Sequence, residues 1–166
     1  MWNYLKTFKE REVLISHYIK EHFSFGYILD LNCGHAPLSE HLADFVYIGN
    51  DIIDTNPPIN IFYNCSDEEM VEKDLPPINC IALMGIGGYE ISQEPSESST
   101  VSRSLKKMVE KYSPKLVIQE CIQEYEPLIQ NFKGYREIKR VKFEIPTTPD
   151  LQRVFKRVIS VEVLED

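Results

Sequence analysis

A short turn near the start of the chain carries residue types that let a ligand approach the backbone closely. Residues 27–31 form an apolar run, and Asn32, Cys33 and Gly34 follow directly. Glycine lets the backbone approach a ligand closely, and asparagine tolerates the left-handed conformation better than other residues that have a side chain. The pattern predicts a buried strand that ends in a ligand-binding loop.

An acidic residue follows this turn at the spacing that is typical of sites for ribose-containing cofactors. Asp51 closes the segment Tyr47-Ile-Gly-Asn-Asp51, about twenty residues after Asp30. Dinucleotide sites place a carboxylate there, at the end of the second strand, where it accepts hydrogen bonds from ribose hydroxyls. We therefore predict that Asp51 binds the ribose of a cofactor. The alternative is that Asp51 only begins a turn.

Strand and helix patterns alternate along the chain, which indicates how these residues are positioned. Apolar periodicity predicts strands at residues 27–31, 46–51, 59–63, 78–86, 116–121, 135–145 and 155–164, and helices at residues 4–22, 37–43, 67–73, 101–112 and 125–132. Ser66, with Glu69 three residues later, is a candidate cap for the third helix. We expect one domain over residues 1–166, with a helical lead-in at 1–24 and an α/β core at 25–164.

The order of these elements predicts a fold class. Strands that alternate with helices form a mostly parallel sheet between two helical layers. The last two strands have no helix between them, so the seven-stranded sheet should end in an antiparallel strand. The link between the second and third strands contains Asn56-Pro-Pro and is too short for a crossover of about ten to twelve residues, so it should lack a helix. The expectation is a minimal three-layer α-β-α fold.

The segment Leu29-Asp-Leu-Asn-Cys-Gly-His-Ala-Pro-Leu-Ser39 resembles the first motif of the class I, Rossmann-like S-adenosylmethionine-dependent methyltransferases. Asp30 matches the acidic residue of that motif and Gly34 its central glycine. Asn32 and Ala36 stand where the other two glycines are expected. The antiparallel final strands are also similar to the end of that fold. The resemblance implies an enzyme that transfers a methyl group from S-adenosylmethionine to a small molecule or RNA. The alternative is a non-catalytic binding or partner subunit that keeps the fold.

The resemblance also implies which residues contact the cofactor. They follow the carboxyl ends of the first four strands and are Asp30, Asn32, Cys33, Gly34, His35, Asp51, Ile52, Cys65, Ser66, Met84 and Gly85. Adenine should lie beside residues 64–67, and the transferred methyl beside residues 84–86. Methyl transfer depends largely on alignment, so no catalytic residue is assigned. Tyr89, Glu90 and Glu120 are candidates for a general base.

Three short segments are similar to the bacterial-type tRNA adenine-N1 methyltransferases. These segments are Gly34-His-Ala36, Gly85-Ile-Gly-Gly88 and Gln119-Glu120. Glu120 stands where that family has a proline. Glycine turns recur by chance, so the segments indicate a narrower relationship only as a hypothesis.

Composition limits the partners that the chain can have. The net charge of −8 argues against a general nucleic-acid binder. Residues 133–157 are nevertheless basic, and they form either a solvated face or an edge for an anionic acceptor such as RNA. The four cysteines show no metal-ligand spacing, so we expect buried thiols and no metal. We expect a cytoplasmic protein without a membrane segment. Pairing with a second copy or with a partner subunit stays open.

Overall fold

A mixed sheet of eight strands forms the framework of the residues that the structure describes, which are 3–4, 8–86, 100–146 and 154–166 of this computed structural model. The strands are β1 (Asn3–Tyr4), β2 (Tyr27–Leu31), β3 (Val46–Asn50), β4 (Ile61–Tyr63), β5 (Cys80–Ile86), β6 (Leu116–Ile122), β7 (Tyr135–Pro146) and β8 (Val154–Leu164). The α-helices of these residues are α1 (Phe8–His22), α2 (Asp67–Val71) and α3 (Thr100–Tyr112).

The strand order is β1-β7-β8-β6-β5-β2-β3-β4. Strands β2 to β6 run parallel to one another, whereas β8 runs antiparallel to both β6 and β7. The predicted mostly parallel sheet of seven strands with an antiparallel last strand is therefore confirmed. The strand β1 is an addition at the edge, where Asn3 and Tyr4 pair with β7. The prediction that the first helix begins at residue 4 was wrong for this reason, and α1 begins at Phe8.

Two apolar layers cover the two faces of the sheet. Ile15 and Ile19 of α1 pack on one face with alternate strand residues such as Ile28, whereas α3 packs on the other face through Leu105 and Met108. Successive residues of a strand point to opposite faces, so a strand with helices on both sides is apolar throughout. This explains the continuous apolar runs in the sequence and confirms the three-layer arrangement.

The connection between β3 and β4 lacks a helix, as predicted. Residues 51–60 form bends and irregular chain, and Asn56 adopts a left-handed conformation with φ of 47°. The side chain of Asn60 turns back and accepts a hydrogen bond from the Tyr47 N–H at 2.7 Å. The link therefore runs back from the carboxyl end of β3 to its amino end, and Ile59 packs against one of the two apolar layers on the way.

Two predicted helices are 3₁₀ segments in the structure, namely Pro37–His41 and Gln123–Leu128. The first follows Ala36, whose left-handed conformation, with φ of 53°, prevents an earlier start. The second contains Pro127, which has no N–H to donate within a helix. By contrast, α2 has the predicted cap, because the Ser66 hydroxyl accepts a hydrogen bond from the Glu69 N–H at 3.2 Å.

Gly49 of β3 is required by the packing of the loop after β2. A Cβ atom on Gly49 would lie 2.8 Å from the Cys33 sulfur and 3.1 Å from Ile59. We expect Gly49→Ala to lower the free energy of unfolding in urea by about 1–3 kcal/mol, the usual cost of overpacking. The second substitution Cys33→Ala should recover part of that loss. Equal stability of Gly49→Ala and wild type would contradict this packing argument.

Candidate cofactor site

The loop that follows β2 has the sharply turned backbone that the sequence indicates. Asn32, Gly34 and Ala36 all adopt left-handed conformations, with φ of 55°, 56° and 53°. The predicted tolerance of Asn32 for this conformation is confirmed. A Cβ atom built on Gly34 meets nothing within 4 Å, so Gly34 faces open space rather than protein. A ligand can therefore approach the backbone of Gly34 closely.

Asp51 joins this loop to the end of β3. One of its carboxylate oxygens accepts a hydrogen bond from the Gly34 N–H at 2.9 Å, and the other accepts one from the Ile53 N–H at 3.0 Å. Each carboxylate oxygen accepts two hydrogen bonds, so these contacts leave capacity for ribose hydroxyls. The structure thus brings Asp51 and Gly34 together, as the spacing requires, and ribose binding stays a prediction.

Asn50, the fully buried residue at the end of β3, was not among the predicted site residues. The Asn50 amide donates to a carboxylate oxygen of Asp67 at 2.8 Å and to the Cys65 carbonyl at 3.2 Å. Its carbonyl oxygen accepts from the Asn32 N–H at 3.4 Å. Asn50 therefore connects the loops after β2 and β4, which hold most of the predicted cofactor residues. Its position beside Asp51 at a strand end was the available signal.

The remaining predicted contacts differ in their surroundings. Cys65 is buried, and Ser66 caps α2. The side chain of Ile52 is 72% exposed, and His35 is also exposed. Met84 is half-buried on β5, where it aligns with Glu120 of β6, and Gly85 lies at the irregular pairing that follows. Loops after β2, β3 and β4 therefore meet, whereas Ile52 and His35 project into solvent.

Asp30 lies in the interior at the end of β2, with only 1% of its surface exposed. The Tyr47 hydroxyl donates a hydrogen bond to its Oδ2 atom. Its Oδ1 atom is buried and has no hydrogen-bond partner among the described residues. Burial raises the pKa of the Asp30 carboxyl to about 7, although the Tyr47 hydroxyl opposes that shift.

Glu120, a candidate general base, belongs to a buried group of charges. Arg157 of β8 donates to its carboxylate, and Arg11 of α1 approaches it at 3.3 Å. Arg11 also pairs with Glu12. The Glu120 carboxylate is fully buried and held by two guanidinium groups, so it is engaged before any acceptor binds. The other candidates, Tyr89 and Glu90, lie outside the described residues.

The cysteine thiols lie in the interior, as predicted. All four are free and buried. Burial raises the pKa of the Cys121 thiol to about 12, and it also raises the pKa of Cys33 in the cofactor loop. A thiol is a nucleophile only as a thiolate, so these groups are unsuited to covalent chemistry at neutral pH.

Several basic side chains in the described part of residues 133–157 lie beside carboxylates. Arg140 pairs with Glu137 at 2.7 Å and lies 3.6 Å from Glu126, and Lys142 lies 3.9 Å from Glu126. Arg136 lies 3.6 Å from Glu165. These pairs favour the interpretation of this strand as a solvated face over that of an anion-binding edge.

Two further features of the described residues bear on partners. No group of three or more His, Cys, Asp or Glu side chains among them could hold a metal ion. Among the same residues, no helix has the length and apolar character needed to cross a membrane.

Comparison with known proteins places this geometry in a structural context. The sequence matches no family model and no curated protein. Among solved structures, the N-methyltransferase NodS from Bradyrhizobium japonicum superposes with a TM-score of 0.64 at 9% identity, over 95% of this chain and 96% of that chain. Magnesium protoporphyrin IX methyltransferase from Synechocystis, with bound S-adenosylmethionine, has a TM-score of 0.61 at 11% identity, over 93% and 78% of the two chains.

A third similar structure is that of a tRNA methyltransferase. The tRNA (uracil-54, C5)-methyltransferase of Pyrococcus abyssi, in complex with S-adenosylhomocysteine, has a TM-score of 0.57 at 13% identity. The match covers 92% of this chain and 38% of that chain. These three superpositions cover more than nine tenths of this chain at 9% to 13% sequence identity, so the similarity lies in the fold. The chain has the Rossmann-like fold of the class I S-adenosylmethionine-dependent methyltransferases.

Proposed function

We propose that this protein binds S-adenosylmethionine at the loop after β2 and transfers its methyl group to a small molecule or RNA. The observation that carries the proposal is the turn of three left-handed residues at the carboxyl end of β2, joined to Asp51 at the end of β3. Open α/β sheets bind ligands at the carboxyl ends of their strands, where the strand order reverses. Here the order reverses between β2 and β5.

The residues present fit such a cofactor. Gly34 leaves open space for close approach, and the Asp51 carboxylate has capacity for ribose hydroxyls. Ile52 offers an exposed apolar surface beside them. When bound, S-adenosylmethionine supplies an activated methyl group on a sulfonium. The protein then has to orient the acceptor and exclude water, because such displacements depend mainly on alignment.

Calorimetric titration with S-adenosylmethionine and S-adenosylhomocysteine tests the proposal. We expect micromolar binding of both ligands. Transfer of a labelled methyl group to members of an acceptor panel would then identify the reaction. A folded sample that binds neither ligand would contradict the proposal.

Asp51 provides a more specific prediction. Asp51→Ala removes the acceptor of the Gly34 N–H and the proposed ribose contact together, so affinity for S-adenosylhomocysteine should fall by at least about tenfold. Asp54→Ala is a matched control, because Asp54 is exposed in the same loop and accepts only from the Asn56 N–H among the hydrogen bonds described. Calorimetry on both variants provides the comparison. Unchanged affinity in Asp51→Ala would exclude the ribose role.

A non-catalytic binding or partner subunit is the second candidate. The observation that favours it is Glu120, whose carboxylate near the carboxyl end of β6 is held by Arg157 and Arg11. Cofactor binding without methyl transfer to any acceptor would support this candidate. Turnover in which S-adenosylhomocysteine forms in step with a methylated product would exclude it.

Binding of the two classes of acceptor, small molecules and RNA, should depend differently on salt concentration. RNA binding through the strand β7 would weaken steeply as ionic strength rises. Neutralising Lys139, Arg140 and Lys142 together would reduce that slope if β7 contacts phosphates. The carboxylate partners of Arg140 and Lys142 lead us to expect no such change.

A further inference from the structure

Both peptide groups beside Gly34 are held by side chains of the link between β3 and β4. The Gly34 N–H donates to a carboxylate oxygen of Asp51 at 2.9 Å, and the Thr55 hydroxyl donates to the Gly34 carbonyl. The Cys33 thiol, a weak donor, also lies 3.6 Å from that carbonyl oxygen. The link therefore contacts Gly34 on both sides, from residues that lie 17 and 21 positions later in the chain.

These two hydrogen bonds together fix the backbone angles of Gly34. Its N–H belongs to the rigid peptide plane before the Cα atom, and its carbonyl belongs to the plane after it. The angles φ and ψ are the rotations between the two planes, so holding both planes fixes both angles. Packing cannot replace this restraint, because glycine has no side chain and a Cβ atom built on Gly34 meets nothing within 4 Å.

A glycine without such restraints is a mobile point in a loop. Glycine adopts positive and negative φ about equally readily, and it loses more conformational freedom on ordering than any other residue. A ligand that binds a mobile loop loses affinity, because part of its binding free energy is used to order the loop. A loop that is ordered before binding avoids this loss.

The link is itself anchored on both sides of Thr55. Before Thr55, the Asn64 amide donates to the Asp51 carbonyl at 3.0 Å and to the Ile52 carbonyl at 3.1 Å. After Thr55, Pro57 is buried, and its ring restricts φ. This link, which has no helix, therefore presents the Thr55 hydroxyl to the cofactor loop from a defined position.

We propose that Thr55 is a positioning residue, which together with Asp51 holds Gly34 in its cofactor-binding conformation before the cofactor binds. The inference rests on the proposed function, because the ligand is the same methyl donor. It adds a residue that lies outside the loop motif and belongs to the helix-free link. In this role the Thr55 hydroxyl acts on the backbone of Gly34 and not on the ligand.

Hydrogen exchange in the ligand-free protein tests the restraint directly. The exchange of the amides of residues 32–36 is followed in wild type, Thr55→Val and Thr55→Ser. Valine keeps the branched shape without the hydroxyl, whereas serine keeps the hydroxyl. Thr55→Ala removes the hydroxyl without the second methyl group of valine and provides an independent comparison. Tyr135→Phe is the control, since it also removes a hydroxyl that donates to a backbone carbonyl, that of Pro114 before β6.

We expect residues 32–36 to exchange about fivefold faster in Thr55→Val and Thr55→Ala, the effect of one hydrogen bond between neutral groups. Affinity for S-adenosylhomocysteine, measured by calorimetry, should fall by about fivefold in the same variants. Thr55→Ser should restore both quantities to within about twofold of wild type. Tyr135→Phe should match wild type in affinity.

Three outcomes would overturn the inference. Unchanged affinity in folded Thr55→Val and Thr55→Ala would show that Thr55 only stabilises the fold, since such a role does not alter the affinity of the folded protein. Reduced affinity with unchanged exchange would show a direct contact with the ligand. Equal weakening in Thr55→Ser would show that the shape of the side chain matters and the hydroxyl does not.

The wild-type titration separates this inference from the proposed function. Wild type that does not bind S-adenosylhomocysteine would remove the proposed function, and this inference with it. Wild type that binds the ligand no more tightly than Thr55→Val would overturn this inference alone.

Discussion

Replacing Gly34 by valine is expected to reduce S-adenosylhomocysteine affinity by at least about a hundredfold, or 2.7 kcal/mol. The valine side chain would meet no protein atom within 4 Å of its Cβ, so it would occupy the open space in which the cofactor is proposed to lie. A β-branched residue at φ of 56° also strains the backbone, at a cost of about 1–3 kcal/mol in the free energy of unfolding. Calorimetry and urea denaturation measure the two effects separately.

Gly134→Val is the matched control for that strain. Gly134 also has a left-handed backbone, with φ of 85°, and its nearest neighbour to a built Cβ is Leu164 at 3.7 Å. It lies at the turn before β7, outside the loops that meet at Asp51. Gly134→Val should therefore lose stability and keep its affinity for the ligand. Binding that survives in a folded Gly34→Val protein would rule out the cofactor site proposed at this loop.

Removal of the Glu120 side chain should produce the largest loss of stability. Glu120→Ala leaves Arg157 and Arg11 without their shared buried carboxylate, and breaking such a pair costs about 3–5 kcal/mol. Urea unfolding measures the loss. In Glu165→Ala, which removes the exposed partner of Arg136, the loss should be about 1 kcal/mol or less.

The comparison of these two variants decides whether the buried charges hold α1 to the sheet. Arg11 is the contribution of α1 to this group, whereas Glu120 and Arg157 come from β6 and β8. A loss in Glu120→Ala no greater than that in Glu165→Ala would contradict this role. A large loss would also explain why the Glu120 carboxylate, near the carboxyl end of β6, is unavailable as a base.

The sequence predicted what depends on local spacing. The left-handed Asn32, the Ser66 cap and the missing helix before β4 follow from residue type and from neighbours a few positions away. The parallel sheet with its antiparallel last strand follows from apolar runs and from the elements between them.

Contacts between distant residues were not predictable in this way. Asn50 and Asp67 are 17 positions apart, and Arg11 and Glu120 are 109 apart. The residues around Asn50 and Arg11 in the sequence do not indicate these partners, so a buried asparagine and a half-buried arginine look like ordinary polar residues. The two 3₁₀ segments were missed for another reason, since apolar spacing over so few residues does not distinguish them from an α-helix.

The position of β8 between β6 and β7 has a consequence for synthesis. The twelve-residue strand β7 leaves the ribosome before β8, the strand that joins it to the rest of the sheet. Until then, the edge of β7 that pairs with β8 has no partner strand, and a long unpaired edge can recruit other chains. Its sequence begins Tyr-Arg-Glu-Ile-Lys-Arg-Val-Lys, and these charges oppose such pairing. We therefore expect the basic residues that suggest an RNA-binding edge to oppose aggregation of the growing chain.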